Sequence, residues 1–462
     1  MAVRPHQVRA RAAGRSLSVS LPASVVLAAA LPILFLHVDY QPGFTVHTGG
    51  ANEHVVLSDL VLLAVGVTAL VSGLRRGFAP LRAGWPIWIA GGIFLLDVAA
   101  GSVYPRLWAS GYDAATHAVT AAKFAEYGLL ALAVPLLVRT RRDAEIVVGT
   151  LVAWSVVATT AGVAQIFGAD ILEAWTAGRR QPSFLGHHDF ASLSGAVLAI
   201  GLVGLALRPV WRPRPALLGV AVVSGGLGLI VSGSSAGAIG LGIGVALLAV
   251  AARLRGWLDR RRALAIAAIT GVVLGGVFVM RAGEINQFLR FVGIGRAKDT
   301  QNGVQSYVQR TLLVYIGWRI FQDNPIGGAG WQASTEQRVY GPFLPAAHRE
   351  FPGTPELAFP SPEHPWGVQN AYVQAMSDLG VVGLLAFLSL LVSALIILVR
   401  PALRGPPAVA VAALVSLVWL VLVIGVLSAL GLVAGIPTDA LLWLTLGFCV
   451  LAAGGKELVR AR

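Results

Sequence analysis

Charge is what this sequence has least of. Asp, Glu, Lys and Arg together make up 12% of its 462 residues, about half the share of ~25% found in soluble globular domains. A chain so poor in charge cannot cover a folded surface with polar groups, which excludes a water-soluble domain and leaves the membrane class. Cysteine is nearly missing as well. Cys449 stands alone inside an apolar run, which excludes a disulfide framework and a thiolate metal site. The segments assigned below to the outer face hold no HExxH, no P-loop and no DxD pair, so zinc-protease and nucleotide-binding chemistries lack their usual signatures. No repeat of solenoid period is present.

What the chain has in quantity is apolar sequence. Hydrophobic residues make up 56% and the mean hydropathy is +0.74. Runs long enough to span a bilayer, about 20 residues each, fall near Leu17–Val38, Val55–Leu74, Gly84–Val103, His117–Val138, Glu145–Phe167, Phe190–Leu207, Ala216–Val231, Ala236–Ala252 and Ala263–Met280, then near Val381–Val399, Ala408–Leu427 and Thr438–Ala453. The fold class predicted is therefore all-α, a polytopic membrane protein of about twelve spans with one long, partly helical outer loop. The formal charge of +13 does not indicate a nucleic-acid partner. Its arginines cluster in every second connection (Arg75/Arg76/Arg82, Arg139/Arg141/Arg142, Arg208/Arg212/Arg214, Arg253 to Arg262, Arg400/Arg404), which is a topology signal. By that rule both termini are cytoplasmic. The chain divides into a tail at 1–16, nine spans over 17–280, an extracytoplasmic loop at 281–379, three spans over 380–454 and a tail at 455–462. Of the nine histidines, all but His6 fall at or beyond the outer ends of spans.

Within the spans, Asp59, Asp97, Lys123 and Glu126 are the ionisable residues that ask for a role. Lys123 and Glu126, three apart on one helix, are placed to neutralise each other. The Gly- and Ala-rich stretch around Ser232–Gly237 predicts close helix packing.

The outer loop carries the chemistry. Val304–Gln322 reads as a helix against the membrane surface, stopped at Asn324-Pro325 and followed by the turn Gly327-Gly328-Ala329-Gly330. Arg310 lies between apolar neighbours on that helix, where a guanidinium suits bidentate recognition of phosphate. Arg319, nine residues on, faces the opposite side and suits the helix end. A second basic pair, Arg179-Arg180, precedes Gln181-Pro182-Ser183-Phe184-Leu185-Gly186-His187-His188-Asp189. Topology asks for no arginine there; the pair suits either a pyrophosphate shared with Arg310 or anionic lipid headgroups. His364, in Ser361-Pro-Glu-His-Pro-Trp366 and just before a helix start, is placed to stay neutral and act as a general base. Glu363 beside it would orient the ring or act itself. Asn370 caps or fixes the following helix.

At these residues the chain resembles the O-antigen ligase and O-antigen polymerase (Wzy C-terminal) superfamily of membrane glycosyltransferases. Arg310 and Trp318-Arg-Ile-Phe-Gln-Asp-Asn-Pro-Ile-Gly-Gly-Ala-Gly330 resemble an Arg, apolar helix, Asn/His-Pro-Leu-x-Gly-x-Gly pattern. Gln369-Asn370-Ala-Tyr-Val-Gln-Ala-Met-Ser-Asp-Leu-Gly380 resembles His-Asn-x-Tyr-Leu-Gln-x-x-x-Glu-x-Gly. Arg180 with Phe184-Leu-Gly-His187-His188-Asp-Phe-Ala191 is similar to Arg…Gly-x-Phe-x-x-Pro-Asn-x-x-Ala. The resemblance implies a GT-C-like fold and a cofactor- and metal-independent, inverting transfer of a glycan from an undecaprenyl-pyrophosphate donor to a glycan or lipid acceptor, on the outer face of the cytoplasmic membrane. Arg180 and Arg310, with Arg179, would hold the pyrophosphate. Gln369, Asn370, His187 and His188 would support the site. Gln369 stands where the pattern has histidine, so His364 or Glu363 would have to supply the base. Ligase and polymerase both remain open, and the reading of another class is a polysaccharide or lipid transporter that uses the same charges as a pathway.

Overall fold

The fold follows from the alternation of apolar runs and Pro-, Gly- or Arg-marked breaks. In a computed structural model that describes residues 22–48, 51–172, 174–176, 178–207, 214–291, 306–432 and 436–455, the chain begins with a short helix, α1 (Ala23–Leu34), and a two-stranded antiparallel hairpin, β1 (Gly43–Thr48) with β2 (Ala51–Val56), in register Gly43↔Val56. The next helices are α2 (Leu57–Arg76), α3 (Trp85–Gly101), α4 (Ala114–Leu137), α5 (Arg141–Ile166), α6 (His187–Ala206), α7 (Pro215–Ser232), α8 (Ser235–Leu254) and α9 (Arg260–Met280). The connection from α9 back into the bundle carries α10 (Ala282–Phe291), α11 (Ser306–Asp323), α12 (Gln337–Tyr340) and α13 (Leu344–Glu350). The bundle closes with α14 (Ala371–Arg404), α15 (Pro407–Val426) and α16 (Ile436–Gly454).

Eleven helices among the described residues are long and apolar enough to cross a membrane. The twelfth expected span, Leu17–Val38, is helical only as α1. Pro22 sits at its N-cap, Pro32 lies inside it, and its 12 residues rise about 18 Å, short of a hydrocarbon core of ~30 Å. Residues 17–21 of that run lie outside the described residues, as do the tail at 1–16 and residues 456–462. The hairpin, which the sequence reading left within a connection, is the only sheet among the described residues.

The bundle is organised around α6. Within its span 94% of residues are buried, against 22% for α9 at the periphery. An α-helix can be enclosed this fully only if its neighbours come close, and glycines permit it. A Cβ on Gly225 of α7 would meet the α6 backbone at Leu198 and Ser194, and one on Gly240 of α8 would meet α15 at Val421 and Leu422. Lys123 of α4 takes Asp59 of α2 at 3.7 Å and donates to the His54 carbonyl. This ion pair crosses to a neighbouring helix.

The basic connections α2–α3, α4–α5, α8–α9 and α14–α15 lie at one end of the bundle. The N-termini of α6, α8 and α14 and the C-termini of α7 and α15 meet at the other. This second end builds the site.

Candidate functional site: an arginine cluster over a cavity

The site is held by a break in α14. Asn370 opens the helix, its side-chain oxygen accepting from the N–H groups of Tyr372 and Val373, each at 3.1 Å, the capping arrangement that satisfies two orphan donors. Ten residues on, Gly380 takes φ 68° and ψ −162° inside the helix, a conformation open to glycine. The interrupted ladder is completed by the turn after α11. Ala329 N–H donates to Ser377 O and Gly330 N–H to Asp378 O, each at 2.9 Å, and Val381 N–H returns to Pro325 O at 2.9 Å. Asp378, fully buried, accepts from the backbone of Gln332 and Ser334, both at 3.1 Å, and from Gln374 Nε2 at 3.2 Å. Tyr104 Oη donates to the Gly327 and Gly328 carbonyls from α3's end. So α11 is pinned at its C-terminal end to the half-helix that carries Gln369 and Asn370 at its start.

That pinning aims Arg310. Its Nε donates to Gln369 Oε1 at 3.2 Å and its Nη2 to His188 Nε2 at 3.0 Å. Gln369, at the place where the resembled pattern has histidine, thus binds one side of the guanidinium, and an imidazole from α6 binds the other. Arg319 lies on the far face of α11, exposed and bonded to Gln322.

Two more arginines converge here. Arg180 is buried, stacked over Trp175 at 4.6 Å, and lies against the left-handed Gly233 between α7 and α8, where any Cβ would meet its stem. Arg281, at the end of α9, is 2% exposed; it lies over the Tyr307 ring at 4.7 Å and donates from Nε to Tyr307 Oη at 3.3 Å. Tyr307 Oη in turn shares a hydrogen bond with Ser235 Oγ at 2.9 Å. A single carboxylate, Glu284, answers both: Oε1 lies 3.4 Å from Arg180 Nε and Oε2 2.6 Å from Arg281 Nη1. Burial and the neighbouring Arg281 push the Arg180 guanidinium down to about 10, with Glu284 opposing. Burial first, then Arg281, lower Arg310 as well. Among the described residues, three guanidiniums thus face one carboxylate in a poorly hydrated place.

Beside them opens a cavity of about 320 Å³. Arg310, Gln369, Ser235 and Tyr307 are among its polar lining; Ala236, Ile239, Val314 and Ala429 are among its apolar lining. Ile239 is 55% exposed on the outside of α8, so the apolar lining continues onto the bundle's outer surface.

The other residues singled out by sequence fall in distinct places. Arg179 is exposed and turned away from buried Arg180. His187 meets the Trp175 ring edge-on at 3.8 Å, and both its nitrogens are shielded without a hydrogen-bond partner. His364 and Glu363 are exposed in the loop before α14, the imidazole stacked on Trp366 at 5.6 Å; neither lines the cavity or pairs with an arginine of the cluster. The sequence reading missed Arg281, Glu284 and Tyr307.

Residues 219–388, from α7 into α14, match the family model for the O-antigen ligase domain. The match includes Arg281, Arg310 and Gln369 and stops short of Arg180 and α6. No curated protein matches the chain.

Proposed function

We propose that this chain, which belongs to the O-antigen ligase/polymerase superfamily, transfers a glycan from a polyprenyl-diphosphate donor, undecaprenyl pyrophosphate in type, to a hydroxyl of a glycan or lipid acceptor at the outer face of the cytoplasmic membrane. Glycosyl transfer of the ligase/polymerase type comes with the family; donor, acceptor and membrane side are our reading. One observation carries it: the buried guanidiniums of Arg180 and Arg281 and the half-buried one of Arg310 are set against one carboxylate among the described residues, beside a cavity lined by both polar and apolar side chains. A diphosphate supplies the missing negative charge, and a polyprenyl chain suits the side that runs onto the lipid-facing surface of α8.

In this reading the acceptor hydroxyl attacks the anomeric carbon from the face opposite the diphosphate, the C–O bond to the diphosphate breaks with its electron pair leaving on the diphosphate oxygen, the hydroxyl proton passes to water, and the configuration inverts. Charge develops on the leaving oxygen, where preorganised cations act most strongly. Arg310, Arg180 and Arg281 supply that charge, and no metal is required of the mechanism. Arg310 has two of its five N–H groups committed, to Gln369 and His188, which fixes its plane and leaves three for phosphate oxygens.

The test is glycan transfer by the full-length protein in membranes. Arg310→Ala should lower it by at least about a hundredfold, the scale on which removing one charge-stabilising donor acts, at unchanged protein level. Retention of normal transfer would remove the donor site. His364→Ala belongs in the same assay. The exposed position of His364 predicts a change under about threefold, and a large loss would bring the loop over the cavity during turnover.

A further inference from the structure

The polar contacts around Arg310 fix more than its position. A guanidinium has donors only, so the 3.0 Å contact between Arg310 Nη2 and His188 Nε2 requires a lone pair on Nε2. The ring proton must then sit on Nδ1, which lies 3.0 Å from Ser234 Oγ. Ser234 Oγ also accepts from Gly237 N–H at 3.2 Å, capping α8. The chain of bonds has one direction at the ring: Arg310 donates to His188, and His188 donates to Ser234. The ring is 7% exposed and is absent from the cavity wall, so it reaches a bound substrate only through Arg310.

We propose that His188 is a positioning residue whose neutral, Nδ1-protonated imidazole holds Arg310 in its anion-binding orientation, so that protonation of this one ring releases the guanidinium and weakens diphosphate binding. The inference rests on the diphosphate reading above and deepens it by assigning the site a proton-controlled latch. Protonated Nε2 would present N–H to N–H, donor against donor, at 3.0 Å. The charged and titratable groups facing the ring are Arg310 from α11, Arg180 from the loop before α6, Arg281 from the end of α9 and His187 from its own helix; every one of them is a cation or becomes one on protonation.

The experiment measures binding of inorganic pyrophosphate to the full-length protein in detergent by calorimetry, from about pH 8 down to about pH 4, far enough into acid to protonate a buried ring that faces three guanidiniums. Wild type, His188→Gln, His188→Ala and Arg310→Ala are compared. Glutamine presents an oxygen near the position of Nε2 and does not titrate. The ligand's own protonation affects all proteins alike. The expected result is that acid weakens wild-type binding roughly tenfold more than it weakens His188→Gln, while His188→Ala binds roughly ten- to a hundredfold more weakly than wild type at the high end, as for a lost bond to a charged group. Parallel pH curves for wild type and His188→Gln, or wild-type affinity in His188→Ala, overturn the latch. Equal affinity in wild type and Arg310→Ala brings down the diphosphate reading itself, an outcome that does not involve His188 and so is distinct from failure of the latch alone.

Discussion

At the scale of single residues, the site is an unbalanced set of charges. Among the described residues Glu284 is the only carboxylate paired with Arg180 and Arg281, and a diphosphate must compete with it for both. Two unit charges several ångströms apart at a partly buried site interact by about 1–2 kcal/mol. Glu284→Gln removes the competitor while keeping the shape, so inorganic pyrophosphate should bind roughly three- to tenfold more tightly. Calorimetry on the full-length protein reads this directly, and weaker binding would mean that Glu284 aligns the arginines more than it competes for them. Sequence pointed to Arg180 because topology gave no reason for a charge there, and to Arg310 because a guanidinium between apolar neighbours suits phosphate. It did not reach Arg281, which follows an apolar run and reads as the end of a span. It also set Arg179 with Arg180, although neighbours in a loop point apart and only Arg180 is buried. Which of two adjacent arginines turns inward depends on Trp175 and Gly233, which come from elsewhere in the fold.

At the scale of elements, the arrangement depends on a helix that is broken and then mended by another segment. The helix of α11, its stop at Pro325, the glycine turn and the Asn370 cap were legible, since each is written in local residue types. The break at Gly380 was not. A lone glycine in an apolar run reads as a tolerated weak point, and what makes it a break is the turn Gly327–Gly330, which supplies hydrogen bonds from some fifty residues away. Gly380→Ala tests the dependence. A side chain there must adopt a left-handed φ of 68°, at a cost of about 1–2 kcal/mol, and its Cβ would also meet the backbone of Ile326 and Gly327. Either the break heals into continuous helix or the turn is expelled, and in both cases α11 loses its anchor. The variant should lose most glycan transfer and show a lower melting temperature in detergent, whereas alanine at exposed Gly92 or Gly149, where no atom lies within 4 Å of a new Cβ, should be nearly silent.

At the scale of the whole molecule, the bundle has two chemically different ends. Clusters such as Arg75/Arg76, Arg139 to Arg142, Arg253 to Arg262 and Arg400/Arg404 occupy one; the arginine cluster and its cavity occupy the other. The first set consists of short connections, the kind that obey the positive-inside rule, while the long α9–α14 connection is of the kind that crosses regardless of charge. The span pattern was legible because hydrocarbon thickness and loop arginines are read directly from sequence. The meeting of α6, α8, α11 and α14 at one end was not, because it depends on which helices pack against which. The orientation that follows is testable with little engineering, since the sequence has one cysteine and it is buried. Single cysteines at exposed Glu363 and Arg179 should react with a membrane-impermeant maleimide in intact cells. Those at exposed Arg142 and Arg261 should react only after the membrane is permeabilised. The reverse pattern would place the arginine cluster in the cytoplasm, where it would meet nucleotide-linked sugars in place of the outward-facing lipid-linked donor proposed for it.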